Sequence, residues 1–225
     1  MISTRQLTKM YNKGEPNEVA ALQDVSIEIK SGDFVLVKGP SGSGKSTLLS
    51  LVGLLCRPTK GRIFYDGEEV SSYSDAWQAR MRREKTGFVF QQHNLLPQFP
   101  VWGNVSLPLT CRDVNGGEQK KKALNILERL GLGSRWSFRT AQLSVGEQQR
   151  VAIARALVTD PEIVLADEPT ASVDEETSLS VLQIFLDLKK LGRTLIVVSH
   201  DPLMAEQANV AIELRSGLIK SLRRA

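Results

Sequence analysis

Nine consecutive residues, Gly39-Pro40-Ser41-Gly42-Ser43-Gly44-Lys45-Ser46-Thr47, carry the most chemistry in this 225-residue chain. They fit G-x-x-x-x-G-K-[ST], the phosphate-binding P-loop. Phe34-Val35-Leu36-Val37 before them reads as a buried strand, and Thr47 to Val52 after them as a helix. A strand–loop–helix turn leaves backbone N–H groups unpaired at the start of the helix, which makes an anion site. Gly39, Gly42 and Gly44 let the backbone curl around a phosphate without Cβ clashes, and Pro40, Ser41, Ser43 and Thr47 complete the cradle. Lys45 is expected to reach the β- and γ-phosphates of ATP, and the Ser46 hydroxyl to ligate Mg²⁺.

A second group supplies what a phosphate cradle lacks. Ile163-Val164-Leu165-Ala166-Asp167-Glu168 is an apolar strand ending in two acids, a Walker B arrangement. Asp167 can hold Mg²⁺, directly or through water. Glu168 falls at the strand's carboxyl end, where α/β sheets place ligands. There it can accept a hydrogen bond from the attacking water and act as general base.

The rest of the chain must position these groups. Val25 to Ile29 alternates with period two, as a half-buried strand does. Gly61 to Tyr65 reads as a strand closed by the hairpin dipeptide Asp66-Gly67, and Thr86 to Phe90 as a core strand. Gly116-Gly117 reads as a break, followed by a helix with Ala123, Leu127 and Leu130 on one face; Gly131 and Gly133 mark its end. Ile163 to Ala166 and Leu195 to Val198 look like strands buried on both faces. Between them, Glu175 to Leu191 carries Leu182, Phe185 and Leu188 at helical spacing, with Gly192 as the cap. This strand–helix–strand unit implies a parallel sheet.

Composition fits one domain of 225 residues, 41% hydrophobic and 24% charged. No apolar run is long enough to span a bilayer, and Met1 to Tyr11 shows no signal-peptide core. Two cysteines, Cys56 and Cys111, give no disulfide framework and suit a reducing cytoplasm. The net charge of +4 is compatible with work beside an anionic membrane and too weak to imply nucleic-acid binding. His93 is expected on the surface.

Further residues carry a family resemblance. Leu143-Ser144-Val145-Gly146-Glu147-Gln148-Gln149-Arg150 resembles the LSGGQ signature of ABC-type ATPases, and the match continues through Val151 to Leu157. Gln91 looks like the Q-loop glutamine, Ala171-Ser172-Val173-Asp174 like the D-loop, Ser199-His200-Asp201 like the H-loop, and Tyr11 like the aromatic that stacks on adenine. The elements stand in the family's order over nearly the whole chain. Two departures are visible: Val145 replaces the first glycine of the signature, and Glu147 stands before Gln148. ATP turnover is nevertheless expected, because Ser144 and Gly146 are kept.

The resemblance implies a homodimer meeting head to tail around two ATP molecules. Ser144, Gly146 and the signature helix's N-terminus then face the partner's γ-phosphate, and Asp174 of the D-loop counts among the nucleotide-binding residues. It implies His200 on the γ-phosphate, holding the water and Glu168, and Gln91 on Mg²⁺ or the water. The fold expected is α/β: a P-loop NTPase (RecA-like) core with a mostly parallel central sheet, an N-terminal antiparallel β subdomain and an inserted α-helical subdomain. Residues 1–93 and 159–225 form the nucleotide-binding core of this single domain, and 94–158 the helical signature part.

Within the family, Thr86 to Gln91, Asn94-Leu95-Leu96-Pro97, Gly103 to Leu109 and Leu165 to Thr170 resemble the LolD, MacB and FtsE group. That implies an ATPase on the cytoplasmic face of the inner membrane, peripheral to it, that drives a permease by closing, with export, lipoprotein or lipid extraction, or mechanotransmission as the output. The permease is expected to dock near residues 95–109 and to reach a periplasmic or envelope partner. Alternatives are an FtsE-like regulator of a cell-envelope hydrolase, an importer ATPase (some types of which carry an extension beyond the point corresponding to Ala225), and a nucleic-acid-associated ABC ATPase. The last usually carries a coiled-coil or zinc insertion, for which there is no pattern here; no nucleic-acid partner is expected.

Overall fold

The computed structural model describes residues 1–171 and 173–224. In chain order the elements are β1 (Ile2–Tyr11), β2 (Val19–Ile29), β3 (Phe34–Lys38), α1 (Lys45–Val52), β4 (Lys60–Tyr65), β5 (Glu68–Glu69), α2 (Asp75–Lys85) and β6 (Thr86–Val89). Then follow α3 (Val101–Ser106), α4 (Gly116–Arg129), α5 (Val145–Leu157), β7 (Ile163–Asp167), α6 (Glu175–Lys190), β8 (Thr194–Val198), α7 (Pro202–Gln207), β9 (Val210–Arg215) and β10 (Leu218–Arg224). Among the described residues they build two sheets. Four strands run β2-β1-β4-β5, all antiparallel, and six run β10-β9-β3-β8-β7-β6. In the larger sheet every pair is parallel except β9 with β10.

Alternation along the central strands divides the core. Phe34, Leu36, Val164, Ala166, Leu195 and Val197 face one way and pack with residues of α3 to α7. Val35, Val37, Ile163, Leu165, Ile196 and Val198 face the other way, onto α1 and the antiparallel sheet. Both faces are covered, as a parallel sheet requires, so these strands read as continuous apolar runs. α5 lies against one face with Val151, Ala152, Ile153 and Ala154 buried. The signature sequence is therefore anchored to the same sheet that carries the P-loop.

The structure amends several expectations from sequence. Gly116 and Gly117 do not break the chain; they are the first two residues of α4. The Asn115 side chain caps the helix by accepting the Glu118 N–H at 2.9 Å. The first turn lacks intrahelical acceptors for its N–H groups, so a capping side chain lets glycine start a helix. Gly133 does not simply mark an end either, because it opens a short 3₁₀ turn, Gly133–Arg135. β6 stops at Val89, and Phe90 leaves the sheet to stack on Phe88 with ring centroids 5.5 Å apart. β1, α2 and the β9–β10 hairpin had no strong periodicity. β1 reads as polar because bulges interrupt its pairing on both sides, so Ile2, Thr4 and Leu7 are buried out of strict alternation. His93 is half-buried rather than on the open surface, and its carbonyl accepts a hydrogen bond from Arg155.

Candidate active site

The P-loop is a turn held open from behind. Gly44 is the N-cap of α1, in the left-handed region at φ 98°, and no side chain caps the helix. The first-turn N–H groups are left pointing at whatever occupies the loop. Close approach by the protein's own backbone, as much as by a phosphate, requires glycine here. A Cβ on Gly44 would run into the Ala21 carbonyl, and one on Gly39 into the Leu214 carbonyl. The turn of the β9–β10 hairpin braces the loop further, with the Gly217 N–H donating to the Ser43 carbonyl at 3.1 Å. The Lys45 ammonium donates to the Gly39 carbonyl at 2.7 Å and the Pro40 carbonyl at 3.0 Å. The Ser43 hydroxyl is buried without a hydrogen-bond partner among the described residues.

In front of the loop lies a cavity of about 400 Å³. Ser41, Gly42, Ser43, Gly44, Lys45, Ser46 and Thr47 line it on one side, and Gln91, Asp167, Glu168 and His200 on the other. The last four come from the carboxyl ends of β6, β7 and β8, which are neighbours in the sheet. Gly39 and Pro40 stand behind the wall and act through their carbonyls. Val19, Ala21 and Val198 also line the cavity; their apolar types gave the sequence reading no signal.

Glu168 is set by its backbone. It lies at φ 48°, and its N–H donates to the Val198 carbonyl at 2.9 Å, so the turn after β7 is pinned to β8. Its carboxylate is largely buried, and Oε1 is 3.5 Å from His200 Nε2. The Thr170 hydroxyl donates to Asp201 Oδ2 at 3.1 Å, while Asp201 Oδ1 caps α7 at the Leu203 N–H. Thr170 and Asp201 stand inside the motifs read from sequence, but their spacing of 31 residues hid that they tie the β7 and β8 loops together.

The residues suggest which ion would fit. Ser46, Gln91 and Asp167 present a hydroxyl, an amide and a carboxylate to one cavity. Oxygen donors in small number suit Mg²⁺, which keeps waters and takes other ligands from phosphates. Among the described residues there is no group of three His, Cys, Asp or Glu that would suit a metal held by protein alone.

Ser144, Gly146 and Asp174 are absent from this cavity. Ser144 caps α5: its hydroxyl accepts the Glu147 N–H at 3.2 Å, and its own N–H donates to Glu147 Oε2 at 2.9 Å. That reciprocal box explains the acid in the signature. The Ser144 N–H holds the Glu147 carboxyl below its usual range against the opposing effect of burial, and Arg135 adds to the lowering. Asp174 caps α6 by accepting the Thr177 N–H at 2.7 Å, which lowers its pKa. Val145 is half exposed at the N-terminal tip of α5. Ser172, read from sequence as part of the D-loop, lies outside the described residues.

Tyr11 is beside the cavity rather than in its wall. It pairs in register with Val19, which does line the cavity, and its exposed ring has Lys9 Nζ 5.1 Å from the centroid. Gln91 leads into a segment gripped by α5, where Arg155 donates to the His93 and Asn94 carbonyls, each at 2.6 Å.

A second concavity of about 400 Å³ has an apolar floor of Leu55, Phe88, Phe90, Pro108 and Ala156, with Arg82, Arg83 and Arg155 around it and no acid in its lining. Of the stretch 95–109, Pro108 alone reaches it. Leu96 and Phe99 are exposed, whereas Val101, Val105 and Leu109 are buried.

The family model described as ABC transporter matches residues 22–171. The chain is 47% identical over 216 residues to an uncharacterized ABC transporter ATP-binding protein of Thermotoga maritima, covering 96% of this chain and 92% of that protein. It is 41% identical to the lipoprotein-releasing system ATP-binding protein LolD of Alcanivorax borkumensis, covering 99% and 97% of the two. A solved dimeric ATP-binding cassette, in a post-hydrolysis state bound to ADP and Pi, superposes with a TM-score of 0.92 at 39% identity, covering 100% of this chain and 98% of that one.

Proposed function

The chain belongs to the ABC transporter family as an ATP-hydrolysing subunit, and on that premise we propose that it closes against a second copy around two ATP molecules to drive a membrane permease. One observation carries the reading. Ser46, Gln91, Asp167, Glu168 and His200 share a cavity, while Ser144 and Gly146 of the same chain lie outside it. A chain whose signature cannot reach its own nucleotide has half a site, and a second copy supplies the rest.

ATP binding draws Lys45 from the Gly39 and Pro40 carbonyls onto the phosphates, where its charge is better matched. The α1 N–H groups cradle the phosphates. Ser46, Asp167 and Gln91 would hold Mg²⁺, which would supply positive charge to offset that of the phosphates. Glu168 accepts a proton from the attacking water as its oxygen bonds to the γ-phosphorus and the bond to ADP breaks. His200 keeps the Glu168 carboxylate oriented and donates to the transferred phosphate. The Ser144 hydroxyl and the N–H groups of the partner's α5 cover the same phosphate, and Asp174 lies at that interface. Tyr11 reaches the adenine over the Val19 edge.

Residues 94–158 act as the moving part, and the remainder as the nucleotide-binding core. The groove of Phe88, Phe90 and Pro108 receives an amphipathic cytoplasmic segment of the permease. Three arginines and no acid in its lining suit a carboxylate on that segment. No helix among the described residues is long and apolar enough to cross a membrane, so the chain would work at the cytoplasmic face through its permease.

The experiment is recovery of partners from detergent-solubilised membranes on the Glu168→Gln protein with ATP, identified by mass spectrometry. A permease with a large extracytoplasmic domain supports the reading. A cell-envelope hydrolase recovered with that permease points to the regulatory branch instead. Nucleic-acid machinery, or no membrane protein, overturns it.

A further inference from the structure

The first turns of α5 and α6 touch within one chain, and they do so where Gly146 has no side chain. A Cβ on Gly146 would lie 2.7 Å from Thr177 Oγ1 and 3.2 Å from Thr177 Cγ2. Thr177 is 7% exposed, and its β-branched side chain has few ways to move aside. The Thr177 N–H donates to the Asp174 carboxylate that caps α6, at 2.7 Å. A close steric contact therefore joins the signature end of α5 to the start of α6. The segment entering α6 begins at Glu168, whose carbonyl accepts the Ala171 N–H at 3.2 Å.

We infer that Thr177 is a positioning residue that sets the signature end of α5 against the start of α6, and thereby links the ATP a chain binds to the ATP its signature covers on the partner. The inference rests on the head-to-tail reading proposed above. The Walker B end of a chain responds to its own nucleotide, and its signature acts on the other. Contact through Gly146 and Thr177 makes the two ends of one chain move as a unit. Gly146 is then glycine to admit its own chain's threonine as well as to approach a phosphate.

The two roles of Gly146 separate in a rescue experiment. In the Glu168→Gln background we would measure the ATP concentration for half-maximal dimerisation, and with Glu168 intact the kcat, KM and Hill coefficient for ATP. The variants are Gly146→Ala, Thr177→Ala, Thr177→Ser and the Gly146→Ala/Thr177→Ala pair. A methyl forced into a filled contact is expected to raise the dimerisation midpoint about ten- to a hundredfold. In the pair only Thr177 Cβ remains, at 3.5 Å, an ordinary contact, so most of that loss is recovered. Thr177→Ala alone lowers the Hill coefficient and leaves KM for ATP within about threefold, and Thr177→Ser restores the Hill coefficient.

A pair as impaired as Gly146→Ala alone overturns the inference, as does an unchanged Hill coefficient in Thr177→Ala. Melting temperature of the nucleotide-free protein reads the contact by itself. A loss in Gly146→Ala that Thr177→Ala does not repair removes the contact. If Glu168→Gln without further change fails to dimerise with ATP, the functional reading falls, and the link between sites falls with it whatever the melting data show.

Discussion

His200 Nε2 stands 3.5 Å from Glu168 Oε1, at the ends of two neighbouring parallel strands, with the Glu168 N–H pinned to the Val198 carbonyl at 2.9 Å. The imidazole is well exposed and the carboxylate largely buried, so one group faces the solvent that brings water and the other is shielded. Replacing Glu168 with Gln keeps the shape and removes the proton acceptor. Turnover is expected to fall about 10²- to 10⁴-fold while ATP binding persists and an ATP-bound dimer accumulates. Steady-state ATPase assays with size-exclusion chromatography in ATP check this; hydrolysis near the wild-type rate would mean Glu168 is not the base.

His200→Ala removes the imidazole beside Glu168, which in the proposed mechanism orients the carboxylate and donates to the phosphate. The expectation is a loss of about 10²-fold in kcat with a smaller change in KM, since the contact forms fully only as charge develops. A raised KM with kcat unchanged would point to a binding role instead.

Lys45 makes two bonds to loop carbonyls, which in the proposed mechanism it exchanges for phosphate oxygens. Lys45→Ala is expected to weaken ATP binding by about 1.5–3 kcal/mol, the scale of a hydrogen bond to a charged group. Fluorescent-nucleotide titration measures it. The melting temperature should change little, because the Pro40 carbonyl is exposed and the Gly39 carbonyl only partly buried, so water can replace the ammonium.

Gly42 and Gly44 distinguish two demands on the P-loop. Each lies at positive φ, but a Cβ at Gly42 meets nothing within 4 Å, while at Gly44 it meets the Ala21 carbonyl and Leu22. Gly42→Ala should cost about 1 kcal/mol of backbone strain. Gly44→Ala should cost that and about 1–3 kcal/mol more for overpacking, and should abolish nucleotide binding. Denaturant melts of both variants give the comparison.

Acid should loosen the signature end of α5. The Glu147 carboxyl is lowered in the folded chain, chiefly by the Ser144 N–H. Its stabilisation is therefore full above the unfolded value of about 4.3 and is lost as pH falls through the lower folded value. Glutamine can close the same box without titrating. Glu147→Gln should match wild type within about 1 kcal/mol near pH 7 and lose less melting temperature between pH 5 and pH 3. Parallel pH profiles would remove Glu147 from the account.

Much of the site was legible because its parts are local in sequence. A P-loop is eight residues with a fixed glycine pattern, here Gly39 to Ser46, and backbone N–H groups at a helix start need no distant partner to make an anion site. Asp167 and Glu168 announce themselves as acids ending an apolar strand. Alternation and 3.6-residue spacing likewise gave the central strands and α6, since burial on both faces or on one stripe writes itself into residue type. The bulged β1 and the short, polar α2 carried no such imprint.

Tertiary structure alone decided what depends on contacts between distant residues. It made Gly39 and Gly44 obligatory through Leu214 and Ala21, locked Thr170 to Asp201, gripped the segment after Gln91 with Arg155, and set Gly146 against Thr177. It also kept Ser144 and Gly146 out of the cavity that holds Lys45 and Glu168. Sequence spacing fixes neighbours along a strand or helix; which carbonyl lies behind a glycine, and which half of a site a chain leaves open, follow from how sheets and helices pack, which no local pattern encodes.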